Sequence, residues 1–214
     1  MIPLFHDFGG ETVLVVGGGP VGARKARRFA REAEVVVVSP EFADADFGGA
    51  ARVREAVDAE AVPGWLERAD PVLVVAATDD ADVNAAVAAA ARERGILVNR
   101  ADADGGRDAG SVVVPATVRD DPVVVAVSTG GRSPALSRYL REQIADVVDG
   151  AGAMAEFAGD LRGELRESYG PEDRRAALRA VVRDDAVWKG LDTPGTKPRQ
   201  RASDVISDVT GDSS

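Results

Sequence analysis

The sequence predicts an α/β fold, with a parallel sheet flanked by helices, then a β-hairpin, then a small helical domain. Three observations predict it. Runs of β-branched residues, Val13–Val16 and Val35–Val38 among them, alternate with segments of helical spacing. Such runs fit strands buried on both faces of a parallel sheet. Three glycines, Gly17-x-Gly19-x-x-Gly22, fall where the first strand meets the first helix. Past Asn99 the alternation stops, two β-rich runs flank a turn, and helical patterns follow.

Composition bounds the possibilities. The chain has 214 residues, 45% of them hydrophobic, and no apolar run long enough to span a bilayer. No basic-then-apolar leader precedes Pro3, so a cytoplasmic protein is expected. Cysteine is absent, which excludes disulfides and thiolate metal sites. The formal net charge of −10 argues against nucleic acid, which needs a basic face. Lysine occurs only at Lys25, Lys189 and Lys197, and acidity with scarce lysine suggests adaptation to high salt.

The lead-in to Gly10 carries the single histidine, His6, which reads as a packed or surface residue beside aromatics. After Val16, Gly17 permits a tight turn and Gly19 lets the backbone approach a pyrophosphate. Gly22 allows close packing of the helix on the strand, and the helix start offers free N–H groups to the anion. This is the context of a dinucleotide-binding loop in a Rossmann-type sheet. The second strand, Val35–Val38, ends in Ser39-Pro40-Glu41, so the carboxylate that usually binds the cofactor ribose is displaced or missing. Val53 and Val57 mark a weak third strand, and Val62–Arg68 a brief helix. Pro71–Thr78 is a fourth strand, followed at Thr78-Asp79-Asp80 by a helix to about Arg94 with Gly95 as its stop. Either aspartate is a natural helix cap, yet the segment lies at a strand's carboxyl end beside the glycine loop. Ile96–Asn99 is the fifth strand.

Arg100–Gly110 is a polar loop in which Asp102, Asp104 and Asp108 are candidate acids. Ser111–Ala116 and Val123–Ser128 read as an antiparallel hairpin around Arg119-Asp120-Asp121-Pro122. Ser133 is an N-cap and Pro134 an N1 residue for a helix with Leu136, Tyr139, Leu140 and Ile144 as its stripe. Helical patterns cover Ala153–Ser168 and Pro171–Val182, and a polar, disordered tail is expected from Asp192. The expected domains are a nucleotide-binding unit over 1–112, a hairpin and helix region over 113–149, a helical domain over 150–191 and the tail over 192–214.

Four ordered pieces carry a resemblance: Val16–Ala26 (VGGGPVGARKA), Ala76–Asp80 (AATDD), Val98–Asp102 (VNRAD) and Val125–Arg141 (VAVSTGGRSPALSRYLR). Together they resemble the precorrin-2 dehydrogenase/sirohydrochlorin ferrochelatase family in its stand-alone form. The resemblance implies oxidation of precorrin-2 to sirohydrochlorin with NAD as hydride acceptor, in siroheme biosynthesis, and in some members insertion of Fe²⁺. The family's catalytic aspartate, three residues past the asparagine ending the fifth strand, lands on Asp102, which is also a possible transient iron ligand. Family cofactor contacts map to Gly17, Gly19, Pro20, Val21, Gly22, Ser39, Pro40, Thr78 and Asp79. Substrate contacts fall on Asn99, Arg107, Ser128, Gly130, Gly131, Arg132 and Ser133, where arginines and a helix start suit the carboxylates of precorrin-2. Arg138, on its helix, reads as a surface ion pair. A homodimer built through the hairpin is also implied. The alternatives are a non-catalytic NAD-sensing domain and a dehydrogenase for another small molecule.

Overall fold

The computed structural model describes residues 2–101 and 111–211. The chain divides into two compact units, Met1–Val114 and Pro115–Ser214. In the first, five strands run β1 (Thr12–Val16), β2 (Glu34–Ser39), β3 (Ala51–Arg54), β4 (Leu73–Ala76) and β5 (Leu97–Arg100). Their spatial order is β3-β2-β1-β4-β5, and every neighbouring pair is parallel. Helices α1 (Pro20–Phe29), α2 (Val62–Ala69) and α3 (Ala81–Glu93) make the crossovers. Successive side chains of a strand face opposite ways, so β1 feeds two cores. Leu14 and Val16 pack with Trp65, Leu66 and Val87 on one face. Val13 and Val15 pack with Ala23, Ala26 and Phe47 on the other. The β-branched run is explained: Val13–Val16 is buried throughout because helices cover both sides.

The chain builds outward from β1 to β3, then returns to lay β4 on the opposite side of β1. The carboxyl ends of β1 and β4 therefore flank the place where the strand order reverses, the usual ligand crevice of such sheets. The third strand is shorter than expected, ending at Arg54 and leaving Val57 outside it. His6 is exposed and lies against Phe8, their tilted ring centroids 4.5 Å apart, so it is a surface residue beside an aromatic.

The hairpin is shifted from its expected register. Its strands are β6 (Ala116–Asp120) and β7 (Val123–Val127), antiparallel with Val118 opposite Val125. Ser111 instead bridges in parallel to Val98 beside β5, and the Val112 N–H donates to the Val98 carbonyl at 2.8 Å. Pro115, with no N–H to give a ladder, separates the two stretches. In the second unit α4 (Pro134–Val148) starts at Ser133, whose hydroxyl accepts the Leu136 N–H at 3.2 Å. Its apolar stripe is partly uncovered: Leu136 is 46% and Tyr139 56% exposed, Leu140 and Ile144 are half-buried, and Val147 one turn on is 78% exposed. Helix α5 (Ala151–Ser168) begins hard against the hairpin. Gly152 donates its N–H to the Asp120 carboxylate at 2.8 Å, and a Cβ there would run into the Asp121 carbonyl.

The disordered tail expected from Asp192 is overturned by the structure. After α6 (Pro171–Val182) and α7 (Asp185–Asp192), Pro198–Thr210 forms a helix, α8. Its Ala202, Val205 and Ile206 are buried with Phe157, Leu161 and Leu165 of α5 and Val181 of α6. Val205 and Ile206 follow Ala202 by one helical turn in a largely polar stretch, a spacing that composition alone averages away. Asp184 caps α7 through the Ala186 and Val187 N–H groups and pairs with Arg201 of α8 at 2.6 Å. The Arg201 hydrogen bond holds the Asp184 carboxyl below its usual range. Replacing Ile206 with alanine is expected to cost about 2–4 kcal/mol, as a core truncation does. Urea unfolding checks this, and a change within about 0.5 kcal/mol would return the segment to a surface role.

Candidate active site

Four glycines shape the turn after β1, and they do different things. Gly17 lies at φ +119°, and its N–H donates to the Val38 carbonyl at 2.9 Å. A Cβ on Gly17 would collide with the Ala77 carbonyl, so the turn rests directly on the backbone leaving β4. Gly18, outside the spacing motif, is as constrained. A Cβ there would strike the Glu41 carbonyl and come within 2.8 Å of the Ser39 Cβ and 2.9 Å of the Phe42 ring. Gly22 faces the Gly17 carbonyl inside the loop, and a Cβ would also lie 3.6 Å from Val15. Gly19 differs. A Cβ there would meet no atom within 4 Å, so no packing within the protein requires glycine. Space left open at that position suits a group that approaches the backbone from outside.

Helix α1 points its start at the same space. Its N-cap, Gly19, has no side chain to occupy the free N–H groups, Pro20 stands at N1, and the first turn holds no acid. The N–H groups of Val21 and Gly22 precede the first intrahelical donor, the Ala23 N–H that bonds the Gly19 carbonyl at 2.9 Å, and carry the positive end of the helix dipole. This geometry fits the pyrophosphate of a dinucleotide. Farther along α1, burial, and next the charges of Arg28 and Arg24, lower the Lys25 pKa to about 8.

At the end of β4, Asp80 is the cap of α3, accepting the Asp82 and Val83 N–H groups at 2.8 and 3.1 Å. Sequence reading missed the residue that holds this turn. Asn84, 1% exposed, accepts the Thr78 N–H at 3.1 Å and the Thr78 hydroxyl at 2.8 Å, and donates to the Thr78 carbonyl at 2.9 Å. An asparagine inside the alanine-rich helical stretch was the available signal. Asp79 stays exposed at the crevice. At the end of β2, Ser39 is 8% exposed, and the Pro40 carbonyl accepts from Arg54 at 3.1 Å. Gly17, Gly19, Pro20, Val21, Gly22, Ser39, Pro40, Thr78 and Asp79 thus gather at one carboxyl edge.

Asn99 is placed inside. It is 5% exposed, and its amide donates to the Val112 carbonyl at 2.8 Å, pinning the returning chain beside β5. Asp102, Asp104, Arg107 and Asp108 lie outside the described residues. In the second unit, Ser128–Ser133 forms a turn with Gly130 at φ +70° and Gly131 at φ +80°. The Thr129 hydroxyl ties it to the Ser133 backbone at 3.0 Å and to the Ser137 hydroxyl at 2.9 Å. Ser128 accepts the Gly130 N–H at 3.3 Å, and Arg132 is exposed. Arg138 pairs with Glu142 at 3.0 Å, the surface role expected of it. Among the described residues no cluster of His, Cys, Asp and Glu is arranged to hold a metal ion, and no helix is long and apolar enough to cross a membrane.

Two predictions follow from this turn and helix. Gly19→Ala is expected to cost less than about 1 kcal/mol of stability, the scale of a lost cap preference. It should still weaken NAD⁺ binding at least about tenfold, whereas Gly18→Ala should destabilise the fold by about 1–3 kcal/mol through overpacking. Calorimetric titration and melting separate the two effects. Lys25 gives a pH signature. Its charged form is disfavoured in the fold, so the penalty is fully present below about pH 8 and is relieved as pH rises toward the ordinary lysine value of 10.5. Lys25→Met should melt higher than the parent at neutral pH, and the gap should close with rising pH. A gap independent of pH would refute the assignment.

The comparisons agree with this architecture. A family described as "Putative NAD(P)-binding" matches residues 4–116, and one described as "Sirohaem biosynthesis protein central" matches residues 120–146. A precorrin-2 dehydrogenase of Methanosarcina barkeri is 34% identical over 96% of this chain and 93% of its own length. A siroheme synthase of Nitrosomonas eutropha is 36% identical over 81% of this chain, which spans only 36% of that longer protein. The solved structure of SirC, a precorrin-2 dehydrogenase, superposes with a TM-score of 0.70 at 22% identity, covering 99% of this chain and 100% of its own, and shows the same fold. The chain belongs to the precorrin-2 dehydrogenase family.

Proposed function

We propose that the chain oxidises precorrin-2 to sirohydrochlorin with NAD⁺, a step of siroheme synthesis. The observation that carries this is the glycine turn at the strand-order reversal, open at Gly19 alone among its four glycines, in a chain of this family. The nicotinamide, when bound, supplies the hydride acceptor. The protein's own residues do the rest. The turn and the start of α1 hold the pyrophosphate, and Asp79 and Thr78 stand at the crevice mouth beside it. Aromatising the macrocycle also releases a proton, and Asp102, three residues beyond the pinned Asn99, is the base assigned to take it.

Precorrin-2 carries eight carboxylates, and the chain's net charge is −10, so binding needs local positive groups. Arg107 and Arg132 are assigned to them. The Ser128–Ser133 turn, with the N–H groups at the start of α4, offers a further anion contact. The partly uncovered stripe on α4 and the β6–β7 hairpin support a homodimer through this region. Iron insertion would use Asp102 and the macrocycle nitrogens.

Anaerobic incubation with precorrin-2 and NAD⁺ should yield sirohydrochlorin and NADH in equal amounts, followed by the visible spectrum and by absorbance at 340 nm. Asp102→Asn should lower kcat at least about 100-fold with NAD⁺ affinity retained. NAD⁺ binding without turnover would instead favour a nucleotide-sensing role. Adding Fe²⁺ to the same reaction reads out chelation.

A further inference from the structure

The edge of the site beside β2 has features that the NAD⁺ reading leaves unused. In dinucleotide-binding sheets the adenosine ribose lies against the end of the second strand. A carboxylate there accepts the 2′-hydroxyl of NAD⁺ and repels the 2′-phosphate of NADP⁺, whereas an arginine does the reverse. Here β2 ends in Ser39 and Pro40, a small hydroxyl and a residue with no N–H. The first carboxylate, Glu41, comes only after Pro40. Directly across the ladder from Ser39, in register, stands Arg54 of β3. Arg52, two residues earlier, shares its side of the strand.

These arginines are arranged, not scattered. Arg54 and Arg52 both lie over the Phe42 ring, each 5.6 Å from its centroid, and Arg52 is also 5.5 Å from that of Phe47. Phe42 in turn abuts Gly18 of the phosphate-binding turn. Arg54 is further fixed by its hydrogen bond to the Pro40 carbonyl. Among the described residues neither guanidinium is paired with a carboxylate. Two preorganised guanidinium groups beside a hydroxyl match a phosphate monoester, which carries close to two negative charges and accepts paired donors.

From this geometry we infer that the site takes the 2′-phosphate, so that the protein binds NADP⁺ as well as NAD⁺, with Arg54 and Arg52 as the residues that set this tolerance. The inference rests on the reading that the glycine turn holds a dinucleotide.

Calorimetric titration of the whole chain with NAD⁺ and with NADP⁺ tests it. The expected Kd for NADP⁺ is tighter than that for NAD⁺ or no more than about tenfold weaker. Arg54→Gln should weaken NADP⁺ at least tenfold more than NAD⁺, and Arg52→Gln should act in the same direction. Glu41→Gln distinguishes the competing arrangement. If Glu41 is the ribose acceptor, that change weakens NAD⁺ selectively, and the inference fails. NADP⁺ binding more than tenfold weaker than NAD⁺, or equal losses of both in Arg54→Gln, also overturns it. Binding of neither dinucleotide by the folded parent overturns the cofactor reading itself.

Discussion

The first unit depends on a close backbone contact, Gly17 against the Ala77 carbonyl. It joins the turn after the central strand to the chain leaving its neighbour with no side chain between them. Because β1 and β4 mark the reversal of strand order, this contact fixes the floor of the crevice. The Ala77 N–H donates to the Val16 carbonyl at 2.8 Å, and the Gly17 N–H to Val38 at 2.9 Å, so three strand ends are tied at one point. A side chain at Gly17 would separate them and require the left-handed backbone that only glycine adopts without strain. Gly18 and Gly22 extend the same condition to the end of β2 and to the start of α1. Three of the four glycines are committed to backbone packing, whereas Gly19, the N-cap of α1, leaves open space at the helix start that suits an approaching anion.

Charge poses the complementary problem. A chain of net charge −10 has to hold a polyanionic cofactor and, on the proposed reading, a substrate richer still in carboxylates. Summed over the molecule the field opposes both. The protein's answer is local. The start of α1 contains no acid, and the Asp80 carboxylate is engaged in capping α3, which leaves Asp79 as the exposed acid at the crevice. Arginines over Phe42 keep their charge at a defined place, with no carboxylate pairing to them among the described residues. Surface acidity and local basicity thus coexist because the latter is held on rigid strands.

What could be read from residues follows from how strongly each signal is local. Four adjacent β-branched residues in β2, or a glycine turn between strand and helix, state their structure within a few positions. Ser133 and Pro134 likewise announce the start of α4, and the cap is present as expected. The hairpin register was misplaced because Ser111–Val114 is as β-prone as a true hairpin strand, and only its pairing with Val98 reveals that it belongs beside β5. Helix α8 was missed for a related reason. Four small or medium apolar residues in thirteen gain meaning only when α5 and α6 supply the surface that three of them bury against. Gly18 was overlooked since its constraint comes from Glu41 and Phe42, far along the chain from the motif's own logic.

Two buried asparagines complete the design of the site, Asn84 bonding through both ends of its amide and Asn99 through its N–H alone. Asn84 reaches from α3 to hold the backbone of Thr78 by both its N–H and its carbonyl. Asn99 reaches from β5 to hold the Val112 carbonyl. Asn84 lies beneath the AATDD turn, and Asn99 holds the chain where it runs beside β5 at Val112. A loop carrying polar groups at a crevice cannot be fixed by apolar packing without being drawn into the core. An amide buried below it fixes the backbone while leaving its side chains outside. Burying that amide is costly unless its polar atoms are bonded, and Asn84 meets the condition through three hydrogen bonds to one residue. With the Ala101 N–H bonded to Ala76 and the Val112 N–H to Val98, the segment between them leaves and rejoins the sheet at set positions.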